Sequence, residues 1–352
     1  MKRIIALFTA LCLAAALAGC GSASSAPAAS ALPQAPAAPA ESTAPAGNAP
    51  VATGEPLHVV TTIFPIYDWV RQMLADDPGL AEVTLLLDDG IDLHSYQPSV
   101  QDLAEIADCD VFLYVGGESD SWVKDALASG GTPGRVALDL MPLLGDELEE
   151  EELVEGMQPD DDDHDDDGDD HEEAYDEHIW LAPHNAQLLC AAIADVLADV
   201  DPFHAAQYRA GYERYRQDLK ALDDRFDEMT DHAVRDTILV ADRFPFLYLT
   251  EAYDLDYYAA FAGCSAETEA SFATVAFLAD KLDKLRLPYV LVPDGSDQKL
   301  AQTVIAATQS KNQTILTLDS MQSVTAEQIA AGATYVGLME QNLATLQTAL
   351  NG

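Results

Sequence analysis

Positively charged residues are scarce in this sequence. Its 352 residues include 17 Lys or Arg against 61 Asp or Glu, which gives a formal net charge of −44. The sequence therefore predicts no nucleic-acid partner, because a phosphate backbone repels so acidic a surface. Long apolar runs are also missing from the interior of the chain, where none approaches the roughly 20 residues that a membrane-spanning helix needs.

Common hydrolase motifs and closely spaced cysteines are absent as well. The sequence contains neither H-E-x-x-H nor G-x-S-x-G, which are the motifs of zinc hydrolases and serine hydrolases. We therefore predict that the protein is not an enzyme. No pair among Cys109, Cys190 and Cys264 has the close spacing of a metal site. The sequence permits one disulfide among these three cysteines and does not select the pair.

The N-terminal segment predicts an export signal. Lys2 and Arg3 precede an apolar stretch over 4–18 that is too short to span a membrane comfortably. The stretch ends in L-A-G-C at Cys20, which looks like a bacterial lipobox and implies cleavage before a cysteine that becomes lipidated. The alternative is an ordinary secretory signal with a chance cysteine. Residues 1–20 are thus predicted to be a lipoprotein signal peptide, and the mature protein to be extracytoplasmic and anchored to the bacterial cell membrane.

The rest of the chain predicts an α/β protein. Residues 21–56 are rich in Ala, Pro and Ser and form a predicted flexible tether. Continuous apolar strands then alternate with helices, which is typical of parallel sheets covered on both faces. We predict two Rossmann-like lobes joined by one long bridging helix. The predicted bounds are 57–200 for the N-terminal lobe with an acidic loop at 146–175, 201–232 for the helix, and 233–352 for the C-terminal lobe.

Two histidines follow strands of the first lobe. His94 comes after the predicted strand at 82–87, and His178 precedes the helix that we predict over 185–200. Ligands of open α/β sheets bind beyond the carboxyl ends of strands, and histidine is the commonest side-chain metal ligand near neutral pH. Either histidine alone would be interpreted as an ordinary surface residue.

The two histidine motifs together resemble a known family. H-x-Y-x-P begins at His94 and E-H-I-W-L-x-P begins at Glu177. This pair resembles the cluster A-I metal-binding proteins of ABC transporters, which are solute-binding proteins for zinc or manganese. The resemblance covers 57–352 and implies two α/β lobes bridged by a rigid helix. It also implies a monomer that captures a divalent metal and delivers it to a permease and its ATPase.

The resemblance also implies two metal ligands from the second lobe. The third family ligand follows the first strand of that lobe, where Asp242 stands here. The alternatives are that Asp242 pairs with Arg243 or caps the next helix, and that a nearby carboxylate binds instead. The fourth ligand follows a later strand, where Asp297 matches best but would also cap a helix. The rival carboxylates are Glu267 and Glu269 for the third position and Asp294 for the fourth.

The proposed ligand set predicts the metal and its pH dependence. Two imidazoles and two carboxylates would neutralise a 2+ ion, and mixed nitrogen and oxygen ligands suit Zn²⁺, Mn²⁺ or Fe²⁺. Affinity should fall at low pH, because histidine binds metal only when it is unprotonated. Tyr96 and Glu177 are candidates for orienting the histidines.

The acidic loop favours zinc over manganese. Of the 32 residues from Asp146 to Glu177, 20 are Asp or Glu, and His164 and His171 lie among them. In the family such loops accompany zinc more than manganese, and this loop is predicted to collect metal weakly near the site. The alternative is a solvated spacer. Two other functions also stay open, a manganese- or iron-specific protein of the same type and a surface adhesin.

Overall fold

The structure is a computed structural model that describes residues 55–151, 153–159, 175–265 and 269–352. The predicted lipidation site Cys20, the loop histidines His164 and His171, and the alternative ligand Glu267 lie outside the described residues. Among the helices of the described ranges, none combines the length and the apolar character needed to cross a membrane.

The first lobe is built on a four-stranded parallel sheet. Its order is β2-β1-β3-β4, so the chain crosses over rather than forming hairpins. A serine–aspartate capping box at Ser99 and Asp102 starts the second helix, and Pro183 lies in the first turn of the fourth. The strands are β1 (Leu57–Thr61), β2 (Ala81–Leu85), β3 (Val111–Tyr114) and β4 (Val136–Asp139); the helices are α1 (Phe64–Met73), α2 (Val100–Asp108), α3 (Val123–Ala128) and α4 (Pro183–Val200).

One long helix, α5 (Ala205–Asp231), leads from the first lobe to the second. Its 27 residues rise over roughly 40 Å at about 1.5 Å per residue. It begins three residues after Pro202, because 201–204 form a turn in which Asp201 Oδ2 contacts His204 Nδ1 at 2.5 Å. Its buried residues recur every three or four positions, as one helix face requires: Tyr208, Gly211, Tyr215, Leu219, Leu222, Phe226 and Met229.

The second lobe repeats the parallel arrangement. Its sheet has the order β6-β5-β7-β8. The predicted α/β fold, with two parallel sheets and a long helix linking the lobes, is therefore confirmed. The strands are β5 (Thr237–Phe244), β6 (Asp256–Ala262), β7 (Tyr289–Pro293) and β8 (Thr314–Leu318); the helices are α6 (Leu247–Ala252), α7 (Phe272–Leu285), α8 (Lys299–Ala307), α9 (Ala326–Ala330) and α10 (Tyr335–Asn351).

Two elements of the second lobe differ from the sequence prediction. The sequence over 326–350 predicts a single C-terminal helix, but the structure divides it, because Gly332 adopts a φ of +97° and Thr334 caps a new helix. The sequence predicts that the first strand of this lobe ends at 241, but β5 runs on to Phe244, and its pairing with β6 shifts register between Val240 and Arg243. Asp242 therefore lies at an irregularity within the strand rather than after it.

The two lobes share a hydrophobic core. One continuous buried cluster includes residues of both sheets, of α5 and of α10. Trp180 of the first lobe donates its indole N–H to the Ser320 carbonyl at 2.8 Å, and Tyr335 donates its hydroxyl to the Trp180 carbonyl at 2.7 Å. These buried hydrogen bonds and the shared core fix how the lobes meet, and the histidine motifs lie at this junction.

Candidate metal-binding site

His94 is held by a short turn at the edge of the first sheet. The turn Leu93–Ser95 begins with Asp92, whose side chain accepts from the His94 backbone N–H at 3.0 Å. His94 Nδ1 lies 2.8 Å from Ser119 Oγ, and its Nε2 lies 3.2 Å from His178 Nε2. One ring nitrogen is thus anchored and the other points to the second histidine.

His178 is fully buried and fixed by one carboxylate. Asp176 Oδ1 accepts from the His178 backbone N–H at 2.8 Å and lies 2.9 Å from His178 Nδ1. A carboxylate on Nδ1 favours the tautomer in which Nδ1 carries the proton, which leaves Nε2 to bind a metal. Because His94 presents Nε2 as well, the pair offers two ligand atoms on the same side.

The ionisation of the two histidines differs. Burial, followed by the neighbouring His178, lowers the pKa of His94 to about 4, so this imidazole is neutral at pH 7 and ready to bind a cation. Burial also opposes the charged form of His178, but Asp176 and Glu177 outweigh burial and raise the pKa of His178.

The two residues predicted to orient the histidines lie in different places. Glu177 Oε1 accepts from the Ser119 backbone N–H at 2.8 Å, and its buried Oε2 lies 3.6 Å from His94 Nδ1. Burial raises the pKa of Glu177. Tyr96 instead donates its hydroxyl to Asp102 at 2.9 Å. Glu177 is therefore placed to act on His94, whereas the hydroxyl of Tyr96 is engaged by α2.

The predicted carboxylate ligands have other local partners. Asp242 accepts from Ser296 Oγ at 2.5 Å and from the Arg243 backbone N–H at 2.9 Å. Asp297 is exposed, accepts from the Lys299 backbone N–H at 2.9 Å and pairs with the Lys299 ammonium at 2.5 Å. Within the described ranges, no group of three or more metal-ligating side chains joins either aspartate to the histidines.

Among the described residues, the alternative carboxylates Asp294 and Glu269 do not group with the histidine pair either. Asp294 accepts from Ser320 Oγ at 2.6 Å and from Ser323 Oγ at 2.7 Å. Glu269 is exposed, and its carbonyl accepts from the Gln158 amide at 3.3 Å. The contacts of Asp294 join loops of the second lobe, whereas that of Glu269 joins the second lobe to the segment at Gln158.

Cys264 joins the histidines instead, and the sequence analysis did not select it. One ligand atom each of His94, His178 and Cys264 lies within 4.8 Å of the others. Glu151, Asp176 and Cys264 form a second such group, in which Glu151 accepts from the Cys264 backbone N–H at 2.7 Å. The available signal was position, because Cys264 follows the end of β6, at the same edge where ligands of parallel sheets gather.

The second lobe also closes over the site with polar contacts. Arg243 Nη2 donates to Asp92 Oδ2 at 3.0 Å. The Gln322 side chain bridges Asp92 and His178, with its nitrogen 3.0 Å from Asp92 Oδ1 and its oxygen 2.5 Å from His178 Nε2. A metal that binds this Nε2 therefore has to displace the Gln322 oxygen. The histidines thus lie in a closed polar junction between the lobes.

The comparisons with known proteins agree with this geometry. Residues 59–349 match the family profile described as "ZnuA: Zinc-uptake complex component A periplasmic". This chain belongs to the ZnuA family. The match spans both lobes and the long helix between them.

Individual relatives support the same assignment. The ZnuA-family chain is 30% identical over 293 residues to the zinc-binding lipoprotein AdcA of Streptococcus pneumoniae, covering 83% of this chain and 55% of that relative. It is 27% identical to the high-affinity zinc uptake system protein ZnuA of Bacillus subtilis, covering 84% of this chain and 88% of the relative. The chain therefore spans about half the length of AdcA.

Solved structures show the same fold. The crystal structure of the Zn(II)-bound ZnuA-like domain of Streptococcus pneumoniae AdcA matches with a TM-score of 0.65 and 26% identity. The match covers 84% of this chain and 100% of that domain. The metal-dependent lipoprotein YcdH of Bacillus subtilis matches with a TM-score of 0.67 and 25% identity, covering 84% and 99%. The laminin-binding adhesin of Streptococcus agalactiae, at 22% identity, shows the shared fold alone.

Proposed function

We propose that this protein captures Zn²⁺ outside the cytoplasm and delivers it to an ABC permease with its ATPase. The observation that carries the proposal is the pair formed by the half-buried His94 and the buried His178, whose Nε2 atoms lie 3.2 Å apart at the junction of the lobes. Two imidazoles at that separation are one edge of a metal coordination sphere. The relatives named for zinc binding and zinc uptake support zinc as the cargo.

The mature chain is proposed to be a monomer held at the bacterial membrane by lipid on Cys20. A tether over 21–56 would let the folded lobes reach the permease while they remain near the surface. The AdcA relative is itself described as a lipoprotein. We infer for the acidic loop, with His164 and His171, a role in gathering cations close to the site.

Metal counting tests the capture function. The apo form of the mature chain would be loaded with equimolar Zn²⁺ and Mn²⁺ and desalted, and each metal would be counted per chain. The expected result is one Zn²⁺ per chain for the wild type and for a variant lacking 160–173. Mn²⁺ retained at one per chain would change the cargo and keep the transport role, whereas no retained metal would overturn the proposal.

Two histidine variants distinguish zinc binding at the proposed site from nonspecific zinc binding by surface histidines. His94→Ala should lose tight zinc, because it removes one of the two convergent ring nitrogens. His184→Ala is the matched control, since this exposed histidine of α4 pairs only with Glu147 at 3.1 Å among the contacts described. Equal zinc affinity in the two variants would contradict the proposed site.

A further inference from the structure

The geometry assigns Cys264 as a metal ligand supplied by the second lobe, so that zinc is held by two imidazoles and a thiolate. The inference rests on the proposed zinc capture and names the residue that completes its site. The starting observation is that the ligand atoms of His94, His178 and Cys264 all lie within 4.8 Å of one another. This set draws on both lobes, since the histidines belong to the first and Cys264 follows β6 of the second.

The distances fit a bound zinc ion. Zinc bonds are about 2.0–2.1 Å to histidine nitrogen and about 2.3 Å to cysteine sulfur in a tetrahedral arrangement. Neighbouring ligand atoms around such an ion are therefore roughly 3.3–3.7 Å apart. The two Nε2 atoms are already 3.2 Å apart. Because the ligand atoms all lie within 4.8 Å of one another, the sulfur needs to approach the rings by about 1.5 Å or less to reach that spacing.

The backbone before Cys264 is shaped for this close approach. A Cβ atom at Gly263 would lie 2.8 Å from the Asp176 carboxylate, 2.8 Å from the Phe244 carbonyl and 3.2 Å from the His178 ring. Only glycine leaves room at that position for β6 to end against the histidine. This close approach places the next residue, Cys264, beside the histidine pair.

Acidic groups around Cys264 would attract a cation, although burial, followed by Asp176 and Glu151, raises the pKa of its thiol well above the ordinary value. The Cys264 backbone N–H is tied to Glu151 at 2.7 Å, which fixes the residue at the junction. Two neutral imidazoles and one thiolate leave a bound Zn²⁺ with a net charge of +1, and the buried carboxylates of Asp176 and Glu177 lie beside the rings to offset it. Binding converts the thiol and Zn²⁺ into a zinc–sulfur bond and releases one proton to solvent.

A thiolate ligand would also explain the choice of metal. Thiolates select zinc over manganese, which prefers carboxylate, carbonyl and water oxygens. The site would then discriminate zinc chemically, without needing Asp242 or Asp297, whose carboxylates have local partners in the second lobe. Because Cys264 joins the histidines across the junction, bound zinc would also hold the lobes together.

X-ray absorption of the zinc-loaded mature chain tests this assignment directly. The wild type should show one sulfur at about 2.3 Å from zinc beside nitrogen neighbours at about 2.0 Å. Cys264→Ser should lose the sulfur and bind zinc roughly 100-fold or more weakly, since a direct ligand matters more than its supporting contacts. Cys109→Ser is the matched control, because this fully buried thiol donates to the Ile106 carbonyl away from the site.

The outcomes are separable. Only nitrogen and oxygen around zinc in the wild type, with unchanged affinity in Cys264→Ser, would reject Cys264 as a ligand and leave zinc capture standing. Failure of the wild type to bind zinc would reject both the zinc-capture function and Cys264 as a zinc ligand. Should Cys264→Ser fail to fold, the absorption spectrum of the wild type still decides, because it reports sulfur without any substitution.

Discussion

The two lobes contribute very different surfaces to the junction. On the first lobe, Asp176 and Ser119 hold the outer nitrogens of the histidines, so that both Nε2 atoms face inward. On the second lobe, the carboxylates of Asp242, Asp294 and Asp297 accept from neighbouring serines or from Lys299. The difference teaches that a potential ligand type is not yet a ligand. A carboxylate whose oxygens fix its own loop has less to offer a metal than an imidazole ring that its neighbours hold with one nitrogen facing the junction.

The largest expected effect on zinc affinity comes from removing a histidine of the first lobe. A carboxylate of the second lobe serves as the comparison. His178→Ala should weaken zinc binding by roughly 100-fold or more, because it deletes a convergent ring nitrogen. Asp297→Asn should leave the affinity unchanged, because its carboxylate is exposed and faces Lys299. Competition with a chelator would measure both, after circular dichroism has confirmed folding. A strong loss in Asp297→Asn would restore this residue as a ligand and break the comparison.

A smaller loss is expected when the support of His178 is removed. Asp176→Asn should weaken zinc binding about 10- to 100-fold, because the amide cannot fix the ring as a carboxylate does. The matched control is Asp201→Asn, since Asp201 contacts His204 Nδ1 at 2.5 Å in a similar pair outside the site. Isothermal titration of both variants checks this, and identical zinc affinities would show that orientation by Asp176 does not matter.

The carboxylates of the second lobe should affect folding stability rather than zinc binding. Burial, followed by the nearby Asp294, raises the pKa of Asp319 to about 6. The folded state then keeps this proton to a higher pH than the unfolded state, so stability falls as the pH rises from about 4 to about 6. The substitution Asp319→Asn should therefore raise the free energy of unfolding by about 2 kcal/mol at pH 7 and change it little at pH 4.

Urea denaturation at pH 4 and pH 7 measures this difference, with the exposed Asp256→Asn as control. The asparagine can still accept from the Met321 backbone N–H, which Asp319 does at 2.8 Å. A gain of equal size at both pH values would mean that charge burial is not its cause.

The smallest effect is expected at the ion pair between the lobes. Arg243→Ala removes the 3.0 Å contact between Arg243 and Asp92, two side chains that are both partly exposed. The substitution should lower the free energy of unfolding by about 1 kcal/mol or less. Arg209→Ala breaks an exposed pair with Asp195 between α4 and α5 and should change less. Thermal denaturation checks both. Equal effects would show that Arg243 contributes nothing special to the junction.

Much of the fold follows from local patterns in the sequence. The strand Val111–Tyr114 is apolar throughout and could be placed without the structure, because both of its faces are covered. The stripe from Tyr208 to Phe226 likewise predicted a long helix packed along one side. The division between α9 and α10 was missed, because it depends on the positive φ of Gly332 within a sequence that otherwise favours one helix.

The site was predicted only in part. The motifs at His94 and His178 pointed to two histidines that the structure does bring together. Asp242, Asp297 and the alternatives remain predictions for the other ligands. The sequence analysis considered Cys264 only as a possible disulfide partner, since a single cysteine far from other cysteines has no spacing by which to recognise a metal site.

The sequence by itself determined the α/β class, the parallel sheets, the long helix and the presence of a histidine pair. These depend on the period of apolar residues and on motifs that are contiguous along the chain. Only the tertiary structure decided which side chains from distant strands meet. Asp176 binds His178 from two residues away, but Cys264 reaches the same ring from the other lobe. That meeting depends on how the lobes pack and on the room left at Gly263, which no local pattern encodes.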